Sequence, residues 1–379
     1  MSELDELIQE LCPNGVEYKV LGELCNICTG KLNANAKDED GIYPFFTCDA
    51  NPYKINEYAF DTSAILISGN GSQVGHLNQY EGKFNAYQRT YVLDNFKLVI
   101  KPFLFHFMDA YLKPYIMVNC KKGSVPYITL PMLQSFKVPV PPLEVQREIV
   151  HILDSFTLLT AELTAELTAR KKQYEYYRDT LLTFNDNNPL HSLISRYCPN
   201  GVEYKKIGDI AFISTGSKLR DIQESHSLYE YINAGTTNSG YSLDWNCDGD
   251  VVTTPSRGQG GIGYVGYQKN KFWLGPLCYK IVGNADFVLN KYLYYYLSNN
   301  SYEILSLKKD GGVPAINKSD LEELILSVPP LEVQRQIVQI LDRFDTICSD
   351  LNIGLPAEIE ARQKQYEFYR DKLLSFKQL

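Results

Sequence analysis

The octapeptide Val-Pro-Pro-Leu-Glu-Val-Gln-Arg occupies residues 140–147 and occurs again, unchanged, at residues 328–335. Proline is favoured in the first turn of a helix and disfavoured inside it, so each copy predicts a helix that begins beside the two prolines. After the first copy, apolar residues recur at steps of three and four, which is typical of a helix with one apolar face. That series is Ile149, Leu153, Phe156, Leu159, Leu163 and Leu167. A continuous helix over residues 143–184 would be about 63 Å long.

Two further repeats show that most of the chain is duplicated. Residues 12–19, Cys-Pro-Asn-Gly-Val-Glu-Tyr-Lys, recur at residues 198–205 with an offset of 186. The heptapeptide at residues 173–179 recurs with one substitution at an offset of 192, and the octapeptide has an offset of 188. Repeats in the same order at nearly equal offsets indicate an internal duplication. Each copy therefore consists of a body followed by a helical segment.

The two bodies share little sequence with each other, but both predict a sheet. Short β-rich runs interrupted by Gly, Asn and Ser occur in each, for example residues 64–68 before Gly69 and residues 251–254 before Pro255. This spacing predicts sheet-containing domains with prominent loops. The predicted division is a first domain at residues 1–137, a first helical region at 138–184, a second domain at 185–325 and a second helical region at 326–379.

The second helical region contains a break that the first lacks. Its apolar series is followed by Gly354-Leu355-Pro356, whereas the first region has the tandem Thr-Ala-Glu-Leu-Thr-Ala-Glu-Leu at residues 160–167. Proline inside a helix removes a hydrogen bond and clashes with the preceding turn, so the second helix should kink or split there.

Each helix exposes an apolar seam, and each copy offers the other a partner for it. We expect the seam of the first helix to pack against the corresponding seam of the second. The expected contact joins Ile149, Leu153 and Phe156 to Ile337, Leu341 and Phe344.

The composition is that of a globular protein of two or more domains. The chain has 379 residues, 37 of them basic and 45 acidic, a net charge of −8, and 28 tyrosines. An acidic total argues weakly against nucleic acid, because phosphate binding uses Lys and Arg. Residues 12–137 nevertheless carry 12 basic and 11 acidic side chains, so the acidity lies largely outside the first body.

Targeting signals are weak in this sequence. No apolar run approaches the roughly 20 residues that span a bilayer, and the acidic first ten residues do not match a signal peptide. The nine cysteines are an odd number spread over the chain. That usage indicates a reducing compartment. We therefore expect a cytoplasmic protein.

Motifs that would indicate catalysis or cofactor binding are also weak. Residues 258–263 fit G-x-G-x-x-G, but residues 264–267 predict a strand rather than the helix whose N-terminus binds phosphate. We interpret this segment as a glycine-rich hairpin or a DNA-facing loop. Cys25 and Cys28 form a lone C-x-x-C, which favours free thiols over a metal site. The five histidines do not cluster, and we expect neither an enzyme nor a metal centre.

Polar loop residues give a better signal, and it is one of binding. Asn and Gln can pair with adenine edges and Arg with guanine, while Ser, Thr and Lys hold phosphates. A turn or a solvated loop explains any one of them as well, and that alternative stays open. Arg89 and Arg257 are expected to contact bases, one in each body. The DNA-binding candidates are Asn70, Ser72, Gln73, Tyr87, Gln88, Arg89, Lys121, Lys122, Asn233, Thr236, Asn238, Ser256, Arg257, Gln259, Lys308 and Lys309.

The chain resembles the specificity subunit of a type I restriction-modification system over essentially its whole length. The resemblance rests on two dissimilar bodies, each followed by a Val-Pro-Pro-Leu-x-x-Gln-x-x-Ile helix, and on the Thr-Ala-Glu-Leu tandem. It implies an α+β fold in which two target recognition domains of mixed β-sheet and helix are joined by two long antiparallel helices. These helices would form a coiled coil with internal pseudo-twofold duplication. Each domain would read one half of a split target in double-stranded DNA.

The same resemblance implies partners. The helices would dock two methyltransferase subunits, and restriction/translocase subunits would complete the assembly. S-adenosylmethionine, ATP and magnesium would be bound by those partners, leaving this chain non-catalytic. The residues expected at or beside the methyltransferase interface are Tyr174, Tyr177, Tyr366 and Tyr369.

Two other functions remain open from the residues alone. A protein–protein interaction scaffold with no DNA role would fit the acidic charge and the tyrosine content. An autonomous methyltransferase is opposed by the lack of a glycine-rich cofactor loop and of an Asn-Pro-Pro-Tyr motif.

The tandem repeat predicts that the helices act as a ruler. One Thr-Ala-Glu-Leu unit adds about 6 Å of helix and turns it by about 400°, so the seam nearly keeps its register. Because DNA rises about 3.4 Å per base pair, inserting one unit after Leu167 should lengthen the spacer between half-sites by one or two base pairs. Methylation mapping measures this. A three-residue insertion, which rotates the seam by about 300°, should damage assembly more. An unchanged spacer would contradict the ruler.

Overall fold

The chain folds as two units in the computed structural model, which describes residues 3–119, 126–226, 228–309 and 312–379. The first unit combines Met1–Thr164 with Glu358–Leu379, and the second is Ala165–Ala357. The long helices therefore begin in one unit and end in the other. The α+β class and the internal duplication are confirmed.

The first unit is built on a six-stranded sheet. Its strand order is β2-β7-β5-β6-β3-β4, and a separate pair joins β1 to β8. The helices are α1 (Glu3–Leu11), α2 (Leu21–Leu24), α3 (Lys101–Asn119) and α4 (Leu130–Gln134), with a 3-10 turn at Ala34–Ala36. The strands are β1 (Glu17–Val20), β2 (Asn26–Thr29), β3 (Tyr43–Phe46), β4 (Tyr53–Ile55), β5 (Phe60–Ser68), β6 (Leu77–Ala86), β7 (Thr90–Asp94) and β8 (Lys137–Val140).

Strand β5 gives this sheet two apolar faces. Ile65 and Ile67 lie in the main core with residues of α3 such as Phe103. Ala64 and Leu66 lie in a smaller cluster on the other side. Successive side chains of a strand point to opposite faces, so a fully apolar run such as residues 64–67 belongs to a strand that is covered on both sides.

The second unit distributes the equivalent strands over two sheets. Their orders are β10-β16-β13-β14 and β12-β11-β15, and β9 pairs with β17. The helices that follow α5 (Leu143–Leu181) are α6 (His191–Tyr197), α7 (Ile207–Ile210), α8 (Asn290–Asn299), α9 (Ser301–Ser306), α10 (Lys318–Glu322), α11 (Leu331–Ser349) and α12 (Leu355–Leu373). The strands are β9 (Glu203–Lys206), β10 (Ala211–Thr215), β11 (Tyr229–Ile232), β12 (Tyr241–Ser242), β13 (Val251–Pro255), β14 (Gly266–Gln268), β15 (Phe272–Leu274), β16 (Cys278–Gly283) and β17 (Ile325–Val328).

Each body is closed by pairing between its first and last strands. In the first unit Glu17 of β1 pairs with Val140 of β8. In the second unit Glu203 of β9 pairs with Val328 of β17. The chain thus enters and leaves each body at the same place, directly before the helix that begins in the repeated octapeptide.

The glutamine of the octapeptide fastens each helix to its body. Gln146 is fully buried; its Oε1 accepts a hydrogen bond from the Ile100 amide at 2.9 Å. Its Nε2 donates to the carbonyl oxygens of Leu98 at 2.9 Å and Pro141 at 2.8 Å. A buried side-chain amide with donors and acceptor all paired holds the helix start in one position.

Gln334 repeats this arrangement in the second unit. It is fully buried as well, and it accepts from the Leu289 amide at 2.9 Å. It donates to the carbonyl oxygens of Phe287 at 2.8 Å and Pro329 at 2.7 Å. The helix start is therefore attached to its body by the same three bonds in both copies.

The expected asymmetry between the two helical regions is confirmed. Helix α5 runs without interruption for 39 residues. The second region is split, because α11 ends at Ser349 and α12 begins at Leu355. Pro356 lies in the first turn of α12, where proline costs no intrahelical hydrogen bond.

The expected pairing of the two helix starts is wrong. Ile149 and Leu153 lie in the core of the first unit, and Phe156 stacks on Tyr369 near the end of α12, with ring centroids 5.4 Å apart. In the second unit Phe344 of α11 stacks on Tyr177 near the end of α5, at 5.3 Å. In an antiparallel pair the start of one helix lies beside the end of the other. The two helix starts therefore do not contact each other, although the sequence analysis expected them to.

Ile337 and Leu341 accordingly lie in the second-unit core and not with Ile149 and Leu153. The antiparallel direction is visible within the second unit. Tyr177 contacts Phe344. Lys171 precedes Tyr177 and lies near Cys348, which follows Phe344: burial raises the pKa of the Cys348 thiol, and the Lys171 charge opposes that rise.

Replacement of the buried Gln146 should destabilise the protein more than replacement of an exposed glutamine. Gln146→Leu leaves the Ile100 amide and two carbonyl oxygens without partners, which should lower the free energy of unfolding by about 2–4 kcal/mol. Gln173→Leu, at an exposed position of α5, is the matched control and should change it by less than about 0.5 kcal/mol. Urea unfolding measures both. Equal effects of the two substitutions would show that the buried hydrogen bonds do not anchor the helix.

Candidate nucleic-acid interface

Three loops of the first unit converge through hydrogen bonds to backbone carbonyl groups. The loop after β5 meets the loop after β6, where the Gly69 amide donates to the Arg89 carbonyl at 2.9 Å. The loop after β3 joins them, because the Cys48 thiol also reaches the Arg89 carbonyl, at 3.5 Å. A ring nitrogen of His76 donates to the Ala50 carbonyl at 3.3 Å. The sequence places these loops far apart, and the fold brings them together.

The first-unit candidates lie on two of these loops. Ser72, Gln73, Gln88 and Arg89 are exposed, while Asn70 and Tyr87 are partly exposed. Gln88 donates to the Asn33 side chain at 2.9 Å, which orders it. Among the described residues, no hydrogen bond or ion pair holds the guanidinium of Arg89. These side chains give the loops a polar surface, on which groups such as the Arg89 guanidinium can form further hydrogen bonds.

The loops of the second unit converge in the same way. The Ser256 amide donates to the Leu277 carbonyl at 2.9 Å, and the Leu277 amide donates to the Asn233 side chain at 3.0 Å. A Cβ added at Gly261 would lie 2.7 Å from the Gly235 amide nitrogen. Two glycines therefore let the loops after β11 and β13 approach backbone to backbone.

The second-unit candidates differ in accessibility. Thr236, Arg257 and Gln259 are exposed, and Asn238 is partly exposed. Ser256 is only 8% exposed. Asn233 uses its side-chain oxygen to hold Leu277, as expected if it serves the turn. Contact with DNA stays a prediction for all of them, and the exposed ones are the best placed for it.

A cleft of about 400 Å³ lies between these loops and the sheets. It combines hydroxyl, amide, carboxylate and aromatic groups, which suit contact with polar ligands. The side chains that give it this character are Glu230, Asn233, Thr236, Asn238, Tyr264, Tyr267 and Gln268.

Of the lysine candidates, Lys309 flanks the same region. The backbone of Ala315 pairs with both Lys309 and Arg257, so Lys309 lies next to the Arg257 loop. Its ammonium group forms an ion pair with Asp320 at 2.6 Å, an exposed contact of little energetic weight. Lys308 is exposed. Lys121 and Lys122 lie outside the described residues.

The cysteines of the C-x-x-C motif behave as thiols. Cys25 is buried and Cys28 exposed, and both are free. Burial raises the pKa of the Cys25 thiol to about 12, so it is protonated at neutral pH. Within the described ranges, no group of three or more His, Cys, Asp or Glu side chains is arranged to hold a metal ion.

The predicted partner-binding tyrosines lie on the packed side of the helices. Tyr177 and Tyr369 stack on phenylalanines, and burial raises the pKa of Tyr174 to about 12. Their role in partner binding stays a prediction. Their neighbours Tyr176 and Phe368 are 64% and 65% exposed. Tyr176 and Phe368 occupy the one position at which the two heptapeptides differ. Helical spacing alone places this position away from the apolar face of the helix.

Two bodies of one framework, each presenting converged polar loops, define a binding protein with two recognition surfaces. The family described as type I restriction modification DNA specificity domain matches residues 13–170 and 199–361. The chain belongs to this family. No helix in the described part of the chain is long and apolar enough to cross a membrane.

Relatives of known designation agree over nearly the full length. A putative type I restriction enzyme specificity subunit from Haemophilus influenzae is 31% identical, over 95% of this chain and 96% of the relative. The specificity subunit of the type I restriction enzyme EcoR124I/EcoR124II from Escherichia coli is 31% identical, over 99% and 98%. The crystal structure of a type I restriction-modification S subunit from M. genitalium has the same fold, with a TM-score of 0.70 at 16% identity, over 96% of this chain and 97% of that one.

The glycine contact between the second-unit loops generates a prediction. Gly261→Ala forces its Cβ against the Gly235 backbone, so the loop at residues 233–240 should shift and its amides should exchange with solvent faster, by about tenfold or more. Hydrogen exchange measures this. Thr237→Ala removes an exposed side chain from the same loop and should leave exchange unchanged. Equally unchanged exchange in Gly261→Ala would mean that the two loops are not coupled.

Proposed function

We propose that the chain is the DNA-reading, non-catalytic subunit of a type I restriction-modification complex, in which each unit reads one half of a bipartite target. The observation that carries the proposal is the repetition of one loop arrangement in both units. In each, the residue after one strand (β5 or β13) forms a backbone hydrogen bond with the loop that precedes a strand paired antiparallel to it (β7 or β16). The bonded residues are Gly69 and Arg89 in the first unit, and Ser256 and Leu277 in the second.

The exposed side chains on these loops suit base reading. Amide and guanidinium groups can each make two hydrogen bonds to a purine edge in the major groove, which distinguishes all four base pairs. Asn70 and Arg257 have no side-chain hydrogen bond among the described residues, so both are available to a ligand. Phosphate contacts would come from Lys308 and neighbouring backbone amides, which position the protein without reading sequence.

The catalytic steps are assigned to partners. In this proposal S-adenosylmethionine binds to methyltransferase subunits, and ATP and magnesium bind to the subunits that complete the assembly. This chain contributes the choice of sequence and the spacing between the two half-sites.

The exposed aromatic pair is the best candidate for docking the methyltransferase. Tyr176 on α5 and Phe368 on α12 occupy equivalent places in the repeated heptapeptide, and both are largely exposed. Aromatic side chains are enriched where interfaces carry most of their binding energy. Two equivalent positions fit two copies of one partner.

A protein-binding scaffold remains the alternative in another class. Its support is the net charge of −8, since an acidic chain is repelled by phosphates. The two functions differ in their response to DNA. Co-expression with the methyltransferase, followed by sequencing of methylated DNA, should show a split target with two half-sequences at fixed spacing. A complex that neither shifts random-sequence DNA in a gel nor methylates a split target would favour the scaffold.

Charge at the exposed aromatic positions should block docking. Tyr176→Glu or Phe368→Glu should each reduce the complex to one methyltransferase, and the double variant should bind none, because a carboxylate in an apolar interface is left unpaired. Light scattering of purified complexes gives the stoichiometry. Leu158→Glu changes another exposed apolar residue of α5, 62% exposed, whose counterpart Thr346 is polar, and should leave assembly intact.

Folding must be unchanged for this result to count. Urea unfolding of the isolated chain should be the same for all four proteins, since the substituted side chains are exposed. Full assembly of the double variant would show that the docking surface lies elsewhere.

A further inference from the structure

Asn70 follows Gly69 and Arg257 follows Ser256, and equivalent backbone hydrogen bonds hold Gly69 and Ser256 in the two units. The Gly69 carbonyl accepts from the Ile128 amide at 2.8 Å, and the Ser256 carbonyl accepts from the Ile316 amide at 2.9 Å. Ile128 and Ile316 are themselves separated by 188 residues, the offset of the octapeptide. The backbone that presents the two side chains is therefore the same.

Two further contacts support this equivalence. Asn70 forms an isolated antiparallel bridge with Tyr127, and Arg257 forms one with Ala315, again 188 residues later. One buried tyrosine in each unit completes this set of contacts, which we call the frame. Tyr91 donates to the Ile128 carbonyl at 3.0 Å, and Tyr279 donates to the Ile316 carbonyl at 3.1 Å.

The same frame shows that Arg89 is not the counterpart of Arg257. The Gly69 amide donates to the Arg89 carbonyl, and the Ser256 amide donates to the Leu277 carbonyl, both at 2.9 Å. Arg89 thus corresponds to Leu277. A leucine cannot make the guanidinium contact, so the function of Arg89 has no equivalent in the second unit.

Chemistry distinguishes the two equivalent side chains. The asparagine amide has one donor and one acceptor that match N6 and N7 of adenine, whereas the arginine guanidinium has paired donors that match O6 and N7 of guanine. Neither side chain is held by a hydrogen bond or an ion pair within the described part of the chain. Both are exposed at least in part.

We propose that residues 70 and 257 read the same position of their respective half-sites, Asn70 selecting adenine and Arg257 selecting guanine. The proposal rests on the proposed function, because it assigns bases within a target that the two units share. Because the same contacts hold the backbone at residues 70 and 257, the side chain at this position determines which purine is bound.

Exchange of the two side chains tests the assignment. Asn70→Arg and Arg257→Asn are made separately in the full chain and co-expressed with the methyltransferase, and the methylated sequences are mapped. Asn70→Arg should change one position of the first half-site from adenine to guanine, and Arg257→Asn should change the same position of the second from guanine to adenine. Each change in preference should be about tenfold or greater, as for a lost bidentate contact.

Internal controls come with each variant. The half-site read by the unaltered unit and the spacer should not change, which shows that the complex is folded and assembled. Lys269→Ala removes a positive charge from the turn between β14 and β15, where Lys269 lines a different cleft with Lys291 and Asp342, and should leave both half-sites unchanged.

The outcomes separate the inference from the proposed function. A wild-type complex that methylates a split target, together with variants that keep the same bases, overturns the inference alone. Loss of affinity for all sequences alike would make these residues phosphate contacts, which also overturns it. A wild-type complex without a split target overturns both.

Discussion

The rest of the structure depends on one buried side-chain amide in each copy. Gln146 and Gln334 each pair with one amide and two carbonyl groups from the chain that enters the helix and from the body beside it. A buried amide left unpaired would cost about 1–3 kcal/mol per group. The geometry of helix relative to body is therefore specified within each unit, and the loops are presented from a fixed base.

This fixed base allows the two bodies to differ where they meet a ligand. The shared frame extends to Gly30 and Gly216, where an added Cβ would lie 1.8 Å from the carbonyl oxygens of Ala86 and Leu274. Side chains on the loops are free of that constraint, and Asn70 stands where the second unit has Arg257. The two copies share these backbone hydrogen bonds and differ in the side chains that the loops carry.

Sequence reasoning reached the elements that depend on local pattern. The uninterrupted α5 and the break before Leu355 follow from apolar spacing and from proline. It failed where a distant contact decides. The seam of Phe156 was predicted to contact Phe344, because apolar spacing does not reveal which helix end lies beside it. The docking role expected for Tyr174, Tyr177, Tyr366 and Tyr369 stays a prediction.

The central claim is that the two units share one backbone arrangement and recognise their half-sites independently. A chain in which the first body also replaces the second tests this claim directly. Because Glu17 pairs with Val140 and Glu203 with Val328, residues 203–328 can be replaced by residues 17–140 at matching ends. Mapping of methylated DNA from the complex should then show the first half-sequence at both ends of the target, as an inverted repeat. An assembled complex that methylates the original asymmetric target, or no split target, would contradict the account.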